Sequence, residues 1–315
     1  MPSIDFADSR STPAARRDFA WPTDPASAPA TISSGICHGT LGELIQGPYI
    51  DDGAAHISLI SLPVKKYSCM HFTHGERAGA DHALASKTKC QQAIAHYLAL
   101  HRKRLPPGTW SHDSELLEGK GMASSTADIV ATIRCLDAIF GIESPGESIS
   151  ATLRAIERSD SVFLDTYALY LSGRQQVVQC FGSAPTFHAC YIDEGNRIDT
   201  ERTGARLLAL YQERLTPYTA NLDKAVDAFL RNDPAAIAAC ATVSAVLGQD
   251  AIPKRNLGVL LKNQARYGAD GIFVAHTGSL AGYLYIHKPG PTQMGALSSF
   301  FRGLGYQSRF VQTGF

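Results

Sequence analysis

The sequence predicts an α+β protein built as two lobes. Segments with helical periodicity and segments rich in β-branched and aromatic residues both occur, but they do not alternate regularly as in a doubly wound parallel sheet. The chain has 315 residues, enough for two domains at roughly 100–200 residues each. We therefore predict a first domain over residues 31–183 and a second over residues 184–315.

Residues 1–30 differ in composition from the rest of the chain. Alanine, proline, serine and charged residues dominate there, and no hydrophobic period is sustained. Such a composition buries too little apolar surface to offset the entropy of ordering the chain. We predict that this segment is a disordered leader.

The first domain contains the helix that the sequence indicates most clearly. In residues 125–140, apolar side chains such as Ile129 and Ile133 recur on one stripe, and Gly141 supplies a C-terminal stop. We predict strands at 57–70 (interrupted at Pro63) and 110–117, and helices at 88–103, 125–140 and 148–158.

The second domain alternates between the two periodicities in the same irregular way. Its predicted strands are 187–192, 271–275, 281–287 and 307–311, and its predicted helices are 204–213, 222–231, 234–247, 256–267 and 292–304. A further predicted strand, 175–179, lies at the end of the first domain.

Charge and cysteine content exclude several classes of protein. Lys plus Arg and Asp plus Glu both number 29, so we predict no nucleic-acid or membrane partner. The seven cysteines form no CxxC pair, which argues against zinc and disulfide frameworks and favours a reducing, cytoplasmic location. No apolar run reaches the ~20 residues of a membrane span. We predict a monomer or homodimer that acts on a small molecule.

The segment 118–128 carries the strongest chemical signal. It is a loop of small residues that leads into the predicted helix, a geometry that presents unpaired N–H groups and the positive end of the helix dipole to an anion. Lys120 adds a charge, and Ser124 and Ser125 add hydroxyls. The alternative is a serine N-cap without a ligand. The spacing matches neither a Walker loop nor a dinucleotide fingerprint.

Two further segments are less specific by themselves. Residues 39–47 form a glycine-punctuated turn that contains Glu43, and residues 275–282 lie between two predicted strands. Glycines in the second segment can bring backbone close to a ligand. Taken alone, each segment also fits an ordinary turn between strands.

In this order, the three segments resemble the three motifs of the GHMP kinases. The middle motif of that family reads roughly Pro-x-x-x-Gly-Leu-Gly-Ser-Ser-Ala, and residues 117–126 follow it with Leu117 and Ala123 as departures. Residues 42–47, 120–128 and 274–279 are most similar to one branch, the L-threonine kinases of cobalamin synthesis. The resemblance covers about residues 35–315. His38 replaces the usual Pro of that branch, and the residues between Glu157 and Asp160 differ as well.

The resemblance implies a fold and a reaction. The N-terminal lobe would bind ATP and contain a left-handed βαβ crossover, and the C-terminal lobe would be ferredoxin-like. The enzyme would transfer phosphate from ATP to the side-chain hydroxyl of L-threonine, with Mg²⁺ as cofactor.

The resemblance also assigns roles to residues of this chain. Asp160 would accept or orient the proton of the hydroxyl, with Asp165 as the second candidate, and Lys254 is a weaker candidate for a phosphate contact. Ser125 and Glu157 would ligate Mg²⁺ and belong with Asp160 to the catalytic set. The nucleotide-binding set is Glu118, Gly119, Lys120, Gly121, Met122, Ala123, Ser124, Ser125 and Thr126; the acceptor-binding set is Thr40, Glu43, Asp160, His276, Thr277 and Gly278.

Other functions remain open on the sequence alone. The acceptor could be serine, homoserine or a natural-product precursor, and a GHMP fold could bind a ligand without turnover. A Ser/His/Asp hydrolase is disfavoured because no Gly-x-Ser-x-Gly motif occurs.

Overall fold

The computed structural model describes residues 31–75, 83–182, 185–195 and 200–315. The predicted leader lies outside these residues, and so does the predicted domain boundary between residues 183 and 184; both stay predictions. Within the described residues, no helix is long and apolar enough to cross a membrane.

The strands of the described residues join into one antiparallel sheet. Its order is β5-β4-β2-β1-β7-β8-β6-β9, and β3 pairs with β2 beside β4. The strands are β1 (Ile32–Asp51), β2 (Ala54–His74), β3 (Gly108–Ser114), β4 (Ala168–Leu171), β5 (Gln176–Cys180), β6 (His188–Asp193), β7 (Gly271–Val274), β8 (Leu280–Tyr285) and β9 (Arg309–Gln312).

The helices pack against this sheet and against one another. They are α1 (Thr88–Leu100), α2 (Ser124–Phe140), α3 (Gly146–Ile156), α4 (Thr200–Glu213), α5 (Leu215–Leu230), α6 (Pro234–Gly248), α7 (Leu257–Asn263) and α8 (Pro291–Gly303). The predicted helix 256–267 is shorter than expected, because a 3-10 turn over Ala265–Tyr267 replaces its last part.

The long β1–β2 hairpin corrects two predictions. The predicted turn at 39–47 lies inside β1, because its glycines serve bulges in the strand and Gly42 has a φ of +80°. Strand β2 also continues through Pro63, which lies opposite Thr40 at an irregular point of the register. Strand β4 was not predicted, since four consecutive buried residues carry no alternation.

The order and pairing of the strands agree with the predicted fold in both predicted domains, and the left-handed sense of the βαβ crossover stays a prediction. The strands β6, β7, β8 and β9 follow a βαββαβ order and lie as β9-β6-β8-β7 in the sheet, which is the ferredoxin-like arrangement. Earlier in the chain, β3 and β4 both run antiparallel to β2 along the same edge. They are therefore parallel to each other and are joined through α2 and α3.

Helix α2 is fixed directly against the backbone of the sheet. A Cβ added at Gly35 of β1 would lie 2.1 Å from the carbonyl oxygen of Ala131 and 2.2 Å from the nitrogen of Cys135. The buried surface of α2 is wider than the single apolar stripe that was predicted, because the helix is buried on nearly all sides from Ser124 to Leu136. This packing holds the N-terminus of α2 at a defined position over the sheet.

Candidate active site

The loop before α2 contains three residues in the left-handed region of backbone conformation. Gly119, Gly121 and Ala123 have φ values of +71°, +90° and +53°. A positive φ at a non-glycine residue such as Ala123 costs on the order of 1 kcal/mol and marks a constrained segment. Ala123 is the N-cap, so the serine N-cap considered above is wrong, and no side chain caps the first turn of α2. The free backbone N–H groups of this first turn and the positive end of the helix dipole suit an anion.

Strand β1 holds this loop from one side. The backbone N–H of Thr40 donates to the carbonyl oxygen of Met122 at 3.1 Å, and the Thr40 hydroxyl donates to the carbonyl oxygen of Gly121 at 3.2 Å. Thr40 is buried. Its contacts therefore position the loop before α2, and its predicted role in acceptor binding stays a prediction.

The β7–β8 loop holds the same loop from the other side. The N–H of Ser279 donates to the carbonyl oxygen of Lys120 at 3.1 Å. A Cβ added at Gly278 would lie 2.2 Å from that oxygen and 2.5 Å from the Cα of Gly121. The three segments singled out in the sequence thus meet in space, and Gly278 allows backbone to approach backbone.

A cavity of about 540 Å³ opens beside this loop. That volume falls within the range of small-molecule sites. Residues predicted for the nucleotide, metal and acceptor share its wall. The lining residues are Lys89, Gly119, Gly121, Met122, Ala123, Ser124, Ser125, Thr126, Ile156, Glu157, Arg158, Asp160 and Thr277.

The carboxylate of Glu157 contacts two hydroxyl groups and one ammonium group near the N-terminus of α2. Ser125 donates to one carboxylate oxygen and Thr126 to the other, both at 2.9 Å. The ammonium group of Lys89 forms an ion pair with the same carboxylate. The carboxylate therefore already faces a cation.

These residues fit a magnesium ion. Magnesium prefers oxygen ligands and uses one or two protein groups together with phosphate oxygens and water. The Ser125 hydroxyl and the Glu157 carboxylate lie side by side on the cavity and form such a pair. Within the described residues, no three or more His, Cys, Asp or Glu side chains are grouped to hold a metal by themselves. A metal here would therefore depend on the phosphates of a nucleotide.

Asp160 lies on the same cavity with an unusual proton affinity. Burial raises the pKa of this half-buried carboxyl to about 7, the negative charges of Glu43 and Glu157 act in the same direction, and Arg158 opposes them. A base with a pKa near neutrality is well suited to accept a proton. Asp165, the second candidate, is exposed and does not line the cavity.

Glu43 is buried in a pair with His276. One Glu43 oxygen accepts the backbone N–H of His276 at 2.8 Å and lies 3.4 Å from its Nδ1. Burial alone would raise the pKa of Glu43, but the hydrogen bonds from His276 and the charge of Lys254 lower it. His276 also contacts the Ser244 hydroxyl at 3.2 Å. Acceptor binding by Glu43 and His276 stays a prediction.

Three predicted charged residues have protein partners. The Lys120 ammonium lies 3.0 Å from Asp193 and is not among the groups that line the cavity. Glu118 pairs with Lys87 at 2.6 Å. Lys254 is buried, donates to the carbonyl oxygen of Gly278, and has its pKa lowered by burial to about 8. Their roles at phosphate also stay predictions.

Sequence reasoning missed a group of charged residues next to the loop. The buried Asp128 of α2 accepts hydrogen bonds from Lys87 at 2.7 Å, His112 at 2.9 Å and Ser68 at 2.6 Å. A second cavity of about 250 Å³ adjoins these residues. The sequence feature that could have indicated this group is the pair of lysines at 87 and 89, where α1 begins. The wall of this cavity includes Ser86, Lys87, Thr88, Lys89, Cys90, Glu118, Gly119, Ser124, Ser125 and Asp128.

Comparison with known proteins shows which proteins this chain resembles. Residues 88–173 match the model of the GHMP kinases N terminal domain. The chain is 26% identical over 262 residues to the L-threonine kinase of Salmonella typhimurium, covering 80% of this chain and 82% of that one. It is 24% identical over 261 residues to the L-threonine kinase of Citrobacter freundii, covering 79% and 84%.

The solved structures agree with this result. Methanococcus jannaschii mevalonate kinase superposes with a TM-score of 0.67 at 12% identity, covering 91% of this chain and 99% of that one. The predicted α+β fold of the GHMP kinases is therefore confirmed.

Proposed function

We propose that this chain, a phosphotransferase of the GHMP kinase type with an alcohol acceptor, transfers the γ-phosphoryl group of ATP to the side-chain hydroxyl of L-threonine. The observation that carries the proposal is the single cavity shared by the loop 119–126, the Ser125–Glu157 pair and Asp160. Phosphoryl transfer requires little covalent chemistry from a protein beyond positioning and charge stabilisation.

The loop and α2 would bind the phosphates. Their backbone N–H groups and the helix dipole favour negative charge without any change of conformation, because strand β1 and the β7–β8 loop already hold the loop. The adjoining cavity of about 250 Å³ would take the nucleoside part of ATP, since it shares Lys89, Gly119, Ser124 and Ser125 with the first.

Ser125 and Glu157 would hold the magnesium ion that GHMP kinases use with ATP. The ion supplies charge neutralisation to the β- and γ-phosphates. Lys89 keeps a positive charge beside Glu157. It would thereby limit repulsion between that carboxylate and an incoming nucleotide.

Asp160 would act on the acceptor. Its carboxylate takes the proton of the hydroxyl as the acceptor oxygen bonds to the γ-phosphorus, and the bond from that phosphorus to the bridging oxygen breaks to release ADP. The products are O-phospho-L-threonine and ADP. Because the pKa of Asp160 lies at about 7, the carboxylate is available above that pH and can return the proton to water afterwards.

Two kinds of support favour L-threonine over another alcohol. The two L-threonine kinases align with about four fifths of this chain. The motif residues 120–128 and 274–279 also resemble that branch, whose product serves cobalamin synthesis. Serine lacks the methyl group of threonine, and homoserine carries its hydroxyl one carbon further along the side chain, so they are the appropriate competitors.

A coupled assay of ADP release tests the proposal. The purified protein is incubated with Mg-ATP and L-threonine, L-serine, L-homoserine or simple alcohols, and phosphothreonine is identified by mass spectrometry. We expect turnover with L-threonine, reduced at least ~10²-fold in Asp160→Ala and Ser125→Ala. The exposed residues Asp223 and Ser299 provide matched alanine controls, which should retain activity.

The outcomes separate the parts of the proposal. Preference for another alcohol would discard L-threonine and keep the kinase. Nucleotide binding without turnover of any acceptor would contradict the proposed reaction. Absence of ATP binding by calorimetry would contradict the assignment of the loop.

A further inference from the structure

Arg158 lies on the cavity between two residues of the proposed machinery, and no role has been assigned to it. Glu157 precedes it, Asp160 follows it two residues later, and all three line the same cavity. The backbone leaves α3 here in an extended conformation, with φ −157° and ψ 163° at Glu157. Consecutive side chains therefore point to different parts of the site.

The guanidinium group of Arg158 forms a hydrogen bond through one nitrogen, and its other two nitrogens are available to a ligand. Its Nε donates to the hydroxyl of the buried Ser172 at 2.8 Å. Within the described residues, its Nη1 and Nη2 have no hydrogen-bond partner and no carboxylate lies within 4.0 Å. By contrast, Arg154 in the last turn of α3 donates to the carbonyl oxygens of Arg174 and Gln175.

Helix α4 leaves room for this guanidinium group. A Cβ added at Gly204 would lie 2.9 Å from Nη1 of Arg158. Glycine inside a helix costs about 1 kcal/mol relative to alanine, so its presence in α4 has to be explained by packing or function. Close approach of the arginine explains it.

Arg158 and Glu43 lie within electrostatic range of the same buried tyrosine. Tyr211 of α4 is fully buried, and its hydroxyl has no hydrogen-bond partner among the described residues. Arg158 and Glu43 both act electrostatically on that hydroxyl, with opposite signs. Both charges also act on Asp160, so a cation and an anion lie within electrostatic range of this carboxyl, as a molecule with a carboxylate and an ammonium group would require.

The neighbours of Arg158 place it at the acceptor end of the cavity. They belong to α4 and to the turn that follows β4, through Gly204 and Ser172. The phosphate-binding loop instead contacts α2, β1 and the β7–β8 loop, and Lys89 provides the cation on that side. The arginine therefore lies apart from the groups proposed for the nucleotide.

We propose that Arg158 binds the carboxylate of the acceptor, so that the enzyme selects alcohols that carry this group. The inference rests on the proposed kinase reaction and specifies its substrate class. The planar guanidinium group donates two parallel hydrogen bonds to a carboxylate, and its anchor on Ser172 fixes the direction of that pair.

The test compares acceptors that share a hydroxyl and differ at the carboxylate. Values of kcat/KM for L-threonine and L-threoninamide are measured with the wild type and with Arg158→Gln, Arg158→Lys and the control Arg154→Gln. We expect the wild type to prefer L-threonine, and Arg158→Gln to lose about 10- to 100-fold with L-threonine. With L-threoninamide the same variant should change little, so that the preference disappears.

A second variant leaves the arginine in place. In Gly204→Ala the new Cβ displaces Nη1, the end of a flexible side chain, so folding should be preserved while kcat/KM for L-threonine falls several-fold and that for L-threoninamide does not. Arg158→Lys keeps the charge without the planar pair of donors and should recover part of the preference. Thermal unfolding of each variant confirms that it is folded.

Three results would overturn the inference. If Arg158→Gln lowers kcat/KM equally for both acceptors and weakens Mg-ATP binding, the arginine contacts phosphate instead. If that variant keeps the wild-type preference for L-threonine, the carboxylate is bound elsewhere, although the kinase proposal would stand. If the wild type phosphorylates none of the acceptors, the proposed reaction falls and the inference falls with it.

Discussion

The raised pKa of Asp160 predicts that this residue destabilises the folded protein at alkaline pH. A group whose pKa is higher in the folded state binds its proton more tightly there. Its favourable contribution is complete below the unfolded pKa, near 3.8, and is lost as the pH rises to about 7. The variant Asp160→Asn has no such proton, so its advantage over the wild type should grow between pH 5 and pH 8.

The size of this effect follows from the two proton affinities. At ~1.4 kcal/mol for each tenfold change, the difference between 3.8 and about 7 sets an upper limit of about 4 kcal/mol. The carboxyl is only half-buried and water reaches the cavity, which reduces the effect. We expect the advantage of Asp160→Asn to increase by about 2 kcal/mol, or a few degrees in Tm, from pH 5 to pH 8.

Thermal unfolding at the two pH values measures this difference. In parallel, kcat/KM of the wild type should rise with pH through about 7, because the ionised carboxylate is the active form. Asp160→Asn should be nearly inactive throughout. A difference in Tm that stays constant between pH 5 and pH 8, or that decreases, would refute the environment assigned to Asp160.

The remaining predictions concern the surroundings of the loop. Gly278→Ala would place a Cβ 2.2 Å from the carbonyl oxygen of Lys120, so we expect a loss of about 1–3 kcal/mol and weaker Mg-ATP binding by calorimetry. Gly295→Ala on α8 meets nothing within 4 Å and should instead gain up to ~1 kcal/mol; equal effects would contradict the contact. Asp128→Asn breaks the buried pair with Lys87 and should cost about 3–5 kcal/mol in denaturant unfolding. Burial raises the pKa of Asp128, but its hydrogen bonds lower the pKa by more. The stability lost in Asp128→Asn should therefore shrink as the pH falls below about 4. A loss of stability that is independent of pH would argue against the pair.

The sequence was sufficient to predict those local structures that depend only on residues close in the chain. The stop at Gly141 is such a case, because glycine adopts the left-handed conformation with a φ of +63° at the end of α2. The same reasoning failed within β1. Gly42 also has a positive φ, but there it forms a bulge in a long strand, and a sequence does not distinguish a bulge from a turn.

Pairings between distant residues were not predictable from the sequence. Lys120 has the position of a phosphate ligand in its motif, but it pairs with Asp193, which lies 73 residues away. Lys89 belongs to no motif, and its contact with Glu157 spans 68 residues. The residue types at the site could be predicted from the resemblance, but the partners of each charge depend on packing of the whole sheet.

The two-sided support of the loop before α2 also has a consequence for synthesis of the chain. Thr40 precedes the loop and is made first, whereas Ser279 follows it by more than 150 residues, and both donate to its backbone. While the ribosome is still translating the residues between Thr40 and Ser279, the loop has only one of its two supports. The loop is therefore held on both sides only after the β7–β8 hairpin has emerged.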